Sequence, residues 1–425
     1  MTNHRLLLTL ICILFSVVST YGQLTIDADI RPRFEYRHGF GNLFPDNGEP
    51  GVFVQQRTRL NISYGLEKLQ LMVSVQDVSI WGDTPQISPI DGNDSFSLFQ
   101  AWVAYQIDSK WSTKLGRQVL SYDDQRILGG LDWAMQGRSH DVALIKYKNE
   151  TFKTDIGFAF NQERPSNEGN GFFLQDAFTY KTMQFAHLHK EWNNIQASFL
   201  FLNSGFQDFK IVDGQETPDG VLYRQTTGTY FKFPLKSLQI SGSAYYQFGR
   251  DNNNTKLNAY QAMLEATYKP TKHLYGLGLE LLSGTDQAGD SRNKSFFPLY
   301  GTNHKFNGYM DYFFVGNHAN NVGLNDIFAK AVFKTSEKSS LLTKIHYFSS
   351  NAELLNNADT YLGTEIDVVF TQKLIKDVTL NIGYSHLFAS ESMSLIRDNR
   401  PNDNTNNWAW ARLIINPTLF TNFKQ

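Results

Sequence analysis

Residues 24–40 read LTIDADIRPRFEYRHGF. Leu24, Ile26, Ala28, Ile30, Pro32, Phe34, Tyr36, His38 and Phe40 fall on one face. Thr25, Asp27, Asp29, Arg31, Arg33, Glu35, Arg37 and Gly39 fall on the other. Apolar and polar residues that alternate with a period of two make a strand with one dry and one wet face, not a helix. The next stretch repeats the pattern: Val52, Val54, Leu60, Ile62 and Tyr64 alternate with Gln55, Arg57, Arg59 and Asn61.

Similar stretches follow at 68–81, 95–107, 111–121, 139–148, 151–162, 173–189, 194–204, 221–233, 237–249, 256–268, 272–283, 322–335, 338–349, 358–371, 377–388 and 405–420. Together with the first two they make eighteen, most of them close to the roughly 9–11 residues with which a tilted strand crosses a bilayer. Links alternate in length. The segments 41–50, 82–94, 122–138, 163–172, 205–220, 284–321 and 389–404 are long and rich in Gly, Asn, Asp and Pro. Gly65-Leu66-Glu67, Asp108-Ser109-Lys110, Asn149-Glu150, Pro234-Leu235-Lys236 and Lys269-Pro270-Thr271 are tight. Long loops at one end and short turns at the other are the outer-membrane arrangement, with both termini on the periplasmic, short-turn side. The expected fold is all-β: a transmembrane antiparallel β-barrel of about eighteen strands, closed because lipid tolerates no unpaired strand edge.

Energetics assign the faces. A cation on the lipid side at mid-membrane costs about 2–4 kcal/mol, and Arg31, Arg33 and Arg37 share one face. That face must line the lumen, so the Leu, Phe and Tyr face meets lipid. Aromatics near strand ends, among them Tyr64, Trp81, Trp111, Tyr268, Tyr275 and Phe388, are placed to form interfacial girdles.

Composition agrees. Aromatic residues make up 14% of the chain, yet the mean hydropathy is −0.36, and no segment after the first residues has the apolar length of a membrane helix. At the start, His4 and Arg5 precede an apolar run from Leu6 to Val18 and a small, polar Ser19-Thr20-Tyr21-Gly22. That order is a secretory signal peptide, 1–22, followed by a single barrel domain, 23–425. The chain's one cysteine, Cys12, lies in the leader, so the exported part has no disulfide to rely on. The net charge is −2 and basic residues are scattered, which gives no nucleic-acid footprint.

The lumen face then supplies candidate solute contacts: Arg31, Arg33, Glu35, Arg37, Arg57 and Arg59 from two neighbouring strands, with Lys330, Lys344, His346, Glu280, Glu365 and Asp367 further on. Two readings stay open, a ladder of ion pairs that keeps the barrel round and a selectivity element in which guanidinium forks grip carboxylates. Segment 114–147 is the most distinctive: Lys114-Leu115-Gly116-Arg117-Gln118, then Asp124-Gln125-Arg126-Ile127-Leu128-Gly129-Gly130, then Asp132-Trp133 and Arg138-Ser139-His140-Asp141. This string resembles the alginate export family of outer-membrane channels, as do Phe296-Phe297-Pro298-Leu299-Tyr300-Gly301 and Leu362-Gly363-Thr364-Glu365-Ile366-Asp367. The resemblance implies an eighteen-stranded barrel with an electropositive constriction for a uronic-acid polymer. It places Arg117, Arg126, Asp132 and Arg138 at or near that constriction.

Other chemistry ranks lower. Ser139, His140 and Asp141 are adjacent in a strand, so they point to alternate faces and cannot converge as a triad. His187 and His189 share a strand face but lack a nearby third metal ligand. Asp83, Asp91 and Asp94, and Asp286 with Asp290, sit in turn-rich loops that could bind calcium but read as ordinary solvated turns. Gly276-x-Gly278 lies inside a strand and is no phosphate loop. No enzyme, cofactor or resident metal is implied. The expectation is an outer-membrane channel of a Gram-negative bacterium for passive diffusion or export of anionic or polyhydroxylated solutes, a uronic-acid polysaccharide such as alginate among them. Its partners would be outer-membrane lipid and lipopolysaccharide, the anionic or carbohydrate solute and, for an exporter, periplasmic export proteins. The alternatives are a porin unrelated to alginate, or a plugged barrel whose loop 284–321 binds a ligand.

Overall fold

The computed structural model describes residues 22–83, 96–174, 179–289, 291–313 and 322–422. The leader up to residue 21, loop positions Asp91, Asp94 and Asp290, and residues 314–321 lie outside the described residues. In chain order the strands are β1 (Gln23–His38), β2 (Gly51–Gly65), β3 (Leu69–Ile80), β4 (Phe96–Gln106), β5 (Trp111–Gln118), β6 (His140–Lys148), β7 (Phe152–Phe160), β8 (Thr182–Trp192), β9 (Ile195–Val212), β10 (Gln215–Leu235), β11 (Leu238–Arg250), β12 (Lys256–Tyr268), β13 (Leu274–Leu282), β14 (Arg292–Asn293), β15 (Leu324–Lys334), β16 (Ser339–Ser349), β17 (Tyr361–Ile375), β18 (Val378–Ala389), β19 (Asn406–Ile415) and β20 (Thr418–Thr421). β14 is a two-residue parallel contact on β12, and β20 carries β19 onward past Pro417. Eighteen antiparallel staves remain.

Each stave pairs with its neighbours in sequence, and β1 closes the ring on β19 with Arg33 opposite Arg412 and His38 opposite Asn407. Closure leaves no free sheet edge, as lipid demands. The alternation read from β1 is the alternation of burial: Phe34 is 43% exposed on the outside, between Arg33 at 3% and Glu35 at 0%. Outward aromatics gather at both strand ends. Trp81, Phe96 and Phe388 lie at the long-loop end and Tyr105, Trp111, Tyr268 and Tyr275 at the short-turn end, the two girdles of an outer-membrane barrel.

Two connections differ from expectation. The strand expected over 173–189 is Thr182–Trp192, so the connection before it is longer than 163–172. Segment 205–220 is not a loop: β9 and β10 run on as a hairpin to a two-residue turn at Asp213 and Gly214, both with positive φ. Asp-Gly is the sequence signature of that turn. Pro218, Asp219 and Gly220 obscure it, because they break the register between Pro218 and Val221 without ending the pairing. At the other extreme β5, β6 and β7 are short, of 8, 9 and 9 residues.

Candidate functional site

The loop after β5 and the loop after β13 each carry large apolar side chains that a solvated loop would not hold. Leu120, Ile127, Leu128 and Met135 in the first, and Phe296, Leu299, Tyr300, Met310 and Tyr312 in the second, are all 2% exposed or less. Both loops fold into the barrel and bury these side chains against each other and the wall, as the hydrophobic effect favours. Their backbones touch. Leu128 bridges Tyr300, Gly129 N–H donates to the Tyr300 carbonyl at 2.9 Å, and Thr302 N–H donates to the Gln125 carbonyl at 2.9 Å. Gly301 is required at this crossing, because a Cβ there would lie 2.1 Å from the Arg126 carbonyl oxygen. Loop 39–50 and the segment 390–404 clamp the second loop from above. Gly41 N–H donates to the Met310 carbonyl at 2.8 Å, the Tyr312 hydroxyl reaches the Asn42 carbonyl at 2.9 Å, and Arg397 donates to the Tyr312 carbonyl.

The first loop is held by an arginine wall. Arg31, Arg33 and Arg37 rise along β1, Arg57 and Arg59 along β2, and Arg412 stands on β19. Arg31 is directly opposite Arg57, and Arg33 opposite Arg412; such like-charge pairs repel unless acids intervene. Three do. Asp29 binds Arg31 at 3.0 Å and Arg57 at 2.5 Å, Glu35 binds Arg33 and Arg37 at 2.8 Å each, and Asp132 of the loop binds Arg31 at 2.9 Å and Arg57 at 3.1 Å. Two further guanidinium donors reach loop carbonyls: Arg33 to Trp133 at 2.9 Å and Arg57 to Met135 at 3.3 Å. Gln76 on β3 donates to the Gln136 carbonyl at 2.9 Å. Trp133 itself lies between the guanidinium groups of Arg33 and Arg412, 4.4 and 4.7 Å from its ring centroid, a cation–π sandwich. His304 of the second loop stacks on the same indole at 4.4 Å. Arg59 turns from the loop to Gln76 and the ring of Phe99.

A carboxylate wall holds the second loop. Glu280 on β13, Asp326 on β15, and Glu365 and Asp367 on β17 are all at most 2% exposed. Asn307 donates to Glu280 at 2.9 Å and to Asp326 at 3.1 Å, and Met310 N–H donates to Glu365 at 2.8 Å. His346 Nδ1 meets Asp326 at 2.9 Å, and Ser385 donates to Asp367 at 2.5 Å. Arg126 of the first loop crosses to this wall. It pairs with Glu280, reaches Asn307 Oδ1 at 3.1 Å and lies 3.8 Å over the ring of Phe306. Burial draws its guanidinium down to about 10, so it stays a cation at neutral pH. One loop is thus tied to the arginine wall through Asp132 and to the carboxylate wall through Arg126.

The remaining sequence candidates fall elsewhere. Lys344 stands over Tyr309, 4.5 Å from its ring, and Lys330 pairs with Glu265. Arg138 donates to the Gly301 carbonyl at 2.9 Å, near the long-loop rim. Arg117 is a correction: it shares the outward face of β5 with Leu115 and binds Asp141 at 2.6 Å, both side chains about half exposed. Gln118 is the residue that turns inward there, fully buried. The parity that puts Arg117 outside also puts His140 in and Asp141 out, so the two never meet as catalytic partners. His187 is engaged by Asp123 at 3.1 Å. Asp83 accepts from Ile80 N–H, and Asp286 from Glu353 N–H, as turn acids do.

Sequence reasoning did not single out Arg412, Asp29 or Asp326 as site residues. Arg412 could have been found from the period of two in Trp408, Trp410, Arg412, and Asp29 from its place on the polar face of β1. Asp326 could have been found in the same way, since it shares the lumen face of β15 with Lys330.

Comparison with known proteins agrees with this architecture. Solved structures with the same fold include OpdK of Pseudomonas aeruginosa with vanillate (10% identity, TM-score 0.61, 93% of this chain and 98% of that one). OccK2 (OpdF) of P. aeruginosa in complex with glucuronate and OccAB4 of Acinetobacter baumannii are each 13% identical, with the same coverage and TM-score. No curated protein matches by sequence. The alginate export family model matches residues 22–408. That match spans β1 to β18, both inward loops and every residue of the two walls except Arg412, and the chain belongs to the alginate export family of outer-membrane β-barrel channels.

Proposed function

We propose that the protein is a passive channel for small carboxylate-bearing, polyhydroxylated solutes such as sugar acids, standing in the outer membrane with both termini in the periplasm after removal of the leader 1–22. One observation carries this reading: on the β1–β2–β19 wall six guanidinium groups face three carboxylates, Asp29, Glu35 and Asp132. The uncompensated positive charge on this wall would attract anions into the lumen and repel cations. Of the candidate residues, Arg37, Lys330 and Asp132 keep side-chain exposure and would meet the solute, while Arg31, Arg33, Arg57, Arg59 and Arg126, with Glu35, Glu365 and Asp367, are buried and would act through their field; Arg138 and Lys344 stand with the loops they touch. Two loops cross the lumen, which favours monomers and short oligomers over a thick polymer chain. Vanillate and glucuronate, bound by two proteins of the same fold, are both carboxylates.

Single-channel recording in a planar bilayer tests this. A salt gradient should give a reversal potential on the anion side, and added glucuronate or short uronate oligomers should block the current. Cation-selective or unselective steps would refute it. A second reading, a plugged ligand-binding barrel, draws on the Tyr312 cluster that ties three loops together across the mouth. Complete absence of conductance would favour it.

A further inference from the structure

At the short-turn end, beneath the inward loop, β5 to β8 and the turns joining them line an open cavity of about 900 Å³. That volume falls in the roughly 300–1,000 Å³ range of small-molecule sites. Its donors and acceptors are unevenly spent. Asp108 accepts the backbone N–H groups of Lys110 and Trp111 at 2.7 and 2.8 Å, closing its own turn. Asp155 accepts the Tyr122 hydroxyl at 2.8 Å and pairs with Lys146 at 2.5 Å. Three other ammonium groups line the cavity, from Lys110, Lys148 and Lys153, against one further carboxylate, Glu150, in the turn between the last two, and none of the three lysines forms an ion pair among the described residues. Lys148 and Lys153 are directly opposite each other in the β6–β7 register, where like charges destabilise a sheet. An adjoining cavity of about 310 Å³ shares Gln106, Ser112 and Lys146 and adds Lys68 and Lys114.

We infer that this mouth is an anion-binding site, in which a sugar acid places its carboxylate between Lys148 and Lys153 and its hydroxyls on Ser112 and the side-chain carbonyl of Gln106, whose amide N–H groups are spent on the Asp108 and Trp111 carbonyls. The inference rests on the channel reading for the identity of the solute and adds the place where the solute is held. The ceiling of the cavity is Tyr122 and His187, and His187 is bound by Asp123. A solute here therefore touches the start of the loop that the arginine wall fixes.

Calorimetric titration of the full-length mature protein in detergent, at low ionic strength, with glucuronate as the probe, tests the site. The wild type should bind. The K148Q/K153Q double variant should lose about tenfold or more in affinity, as expected for one lost charge-assisted contact, while K148R/K153R should retain it. The double Gln variant should still conduct with an anion-side reversal potential, because the arginine wall is intact. Equal affinity of wild type and K148Q/K153Q, equal binding of uncharged glucose, or no binding by the wild type would overturn the site. Loss of anion selectivity in the wild type would overturn the channel reading instead.

Discussion

Guanidinium groups crowd one part of the lumen and ammonium groups another, and the two regions treat their charge differently. On β1, β2 and β19 each arginine has several donors in a rigid fork, and most are satisfied by Asp29, Glu35, Asp132 or a loop carbonyl. At the β5–β7 mouth the lysines are ammonium point charges, and among the described residues only Lys146 is in an ion pair. Planar forks suit buried latching, and flexible ammonium groups suit transient contact. A dense run of arginines in such a barrel therefore marks where a loop is fastened. The charge left over sets the field.

The largest effect should come from cutting the loop's far anchor. Arg126→Gln leaves Glu280 buried without its cation, which costs about 3–5 kcal/mol. Urea unfolding in detergent micelles should show that loss, and single-channel traces should become noisy. A midpoint within error of wild type would mean that Arg126 anchors nothing. Cutting the near anchor is gentler, because the Asp132 side chain is 69% exposed to lumen water. Asp132→Ala should unfasten the loop without unfolding the barrel and raise conductance severalfold.

A third substitution sharpens the distinction between fastening and field. Glu35→Gln removes one of the three acids on the arginine wall, so the reversal potential should move further to the anion side. Movement toward the cation side would contradict the charge count. The smallest effect belongs to Arg117→Ala. The residue is outside the lumen, its ion pair is exposed, and such pairs contribute within about 1 kcal/mol. Selectivity and conductance should be unchanged, and a loss of anion preference would show that the outward face reaches the solute.

Strand positions and the face assignment follow directly from the period of two, because burial and lipid contact enforce it residue by residue. Arg31, Arg33, Arg57 and Glu35 were legible for that reason. Arg117 was misplaced because the family motif carried it into the constriction although it shares a face with Leu115. The parity of β5 already argued against that. The inward course of the two long loops was only hinted at by Ile127, Leu128, Phe296 and Leu299, since apolar loop residues do not say what they pack on. The pairing of Arg126 with Glu280, across 154 positions of sequence, has no local signature at all. The lysine mouth was overlooked because Lys110, Lys146, Lys148 and Lys153 are ordinary turn and strand-end residues until the barrel closes around them.

The central claim is that an arginine-fastened loop narrows an anion-selective lumen. Side-by-side single-channel recording of wild type and Asp132→Ala in a salt gradient tests it most directly. Larger current steps are expected in the variant, with reversal potentials on the anion side for both. Steps of equal size together with a wild-type reversal potential at zero or on the cation side would contradict it.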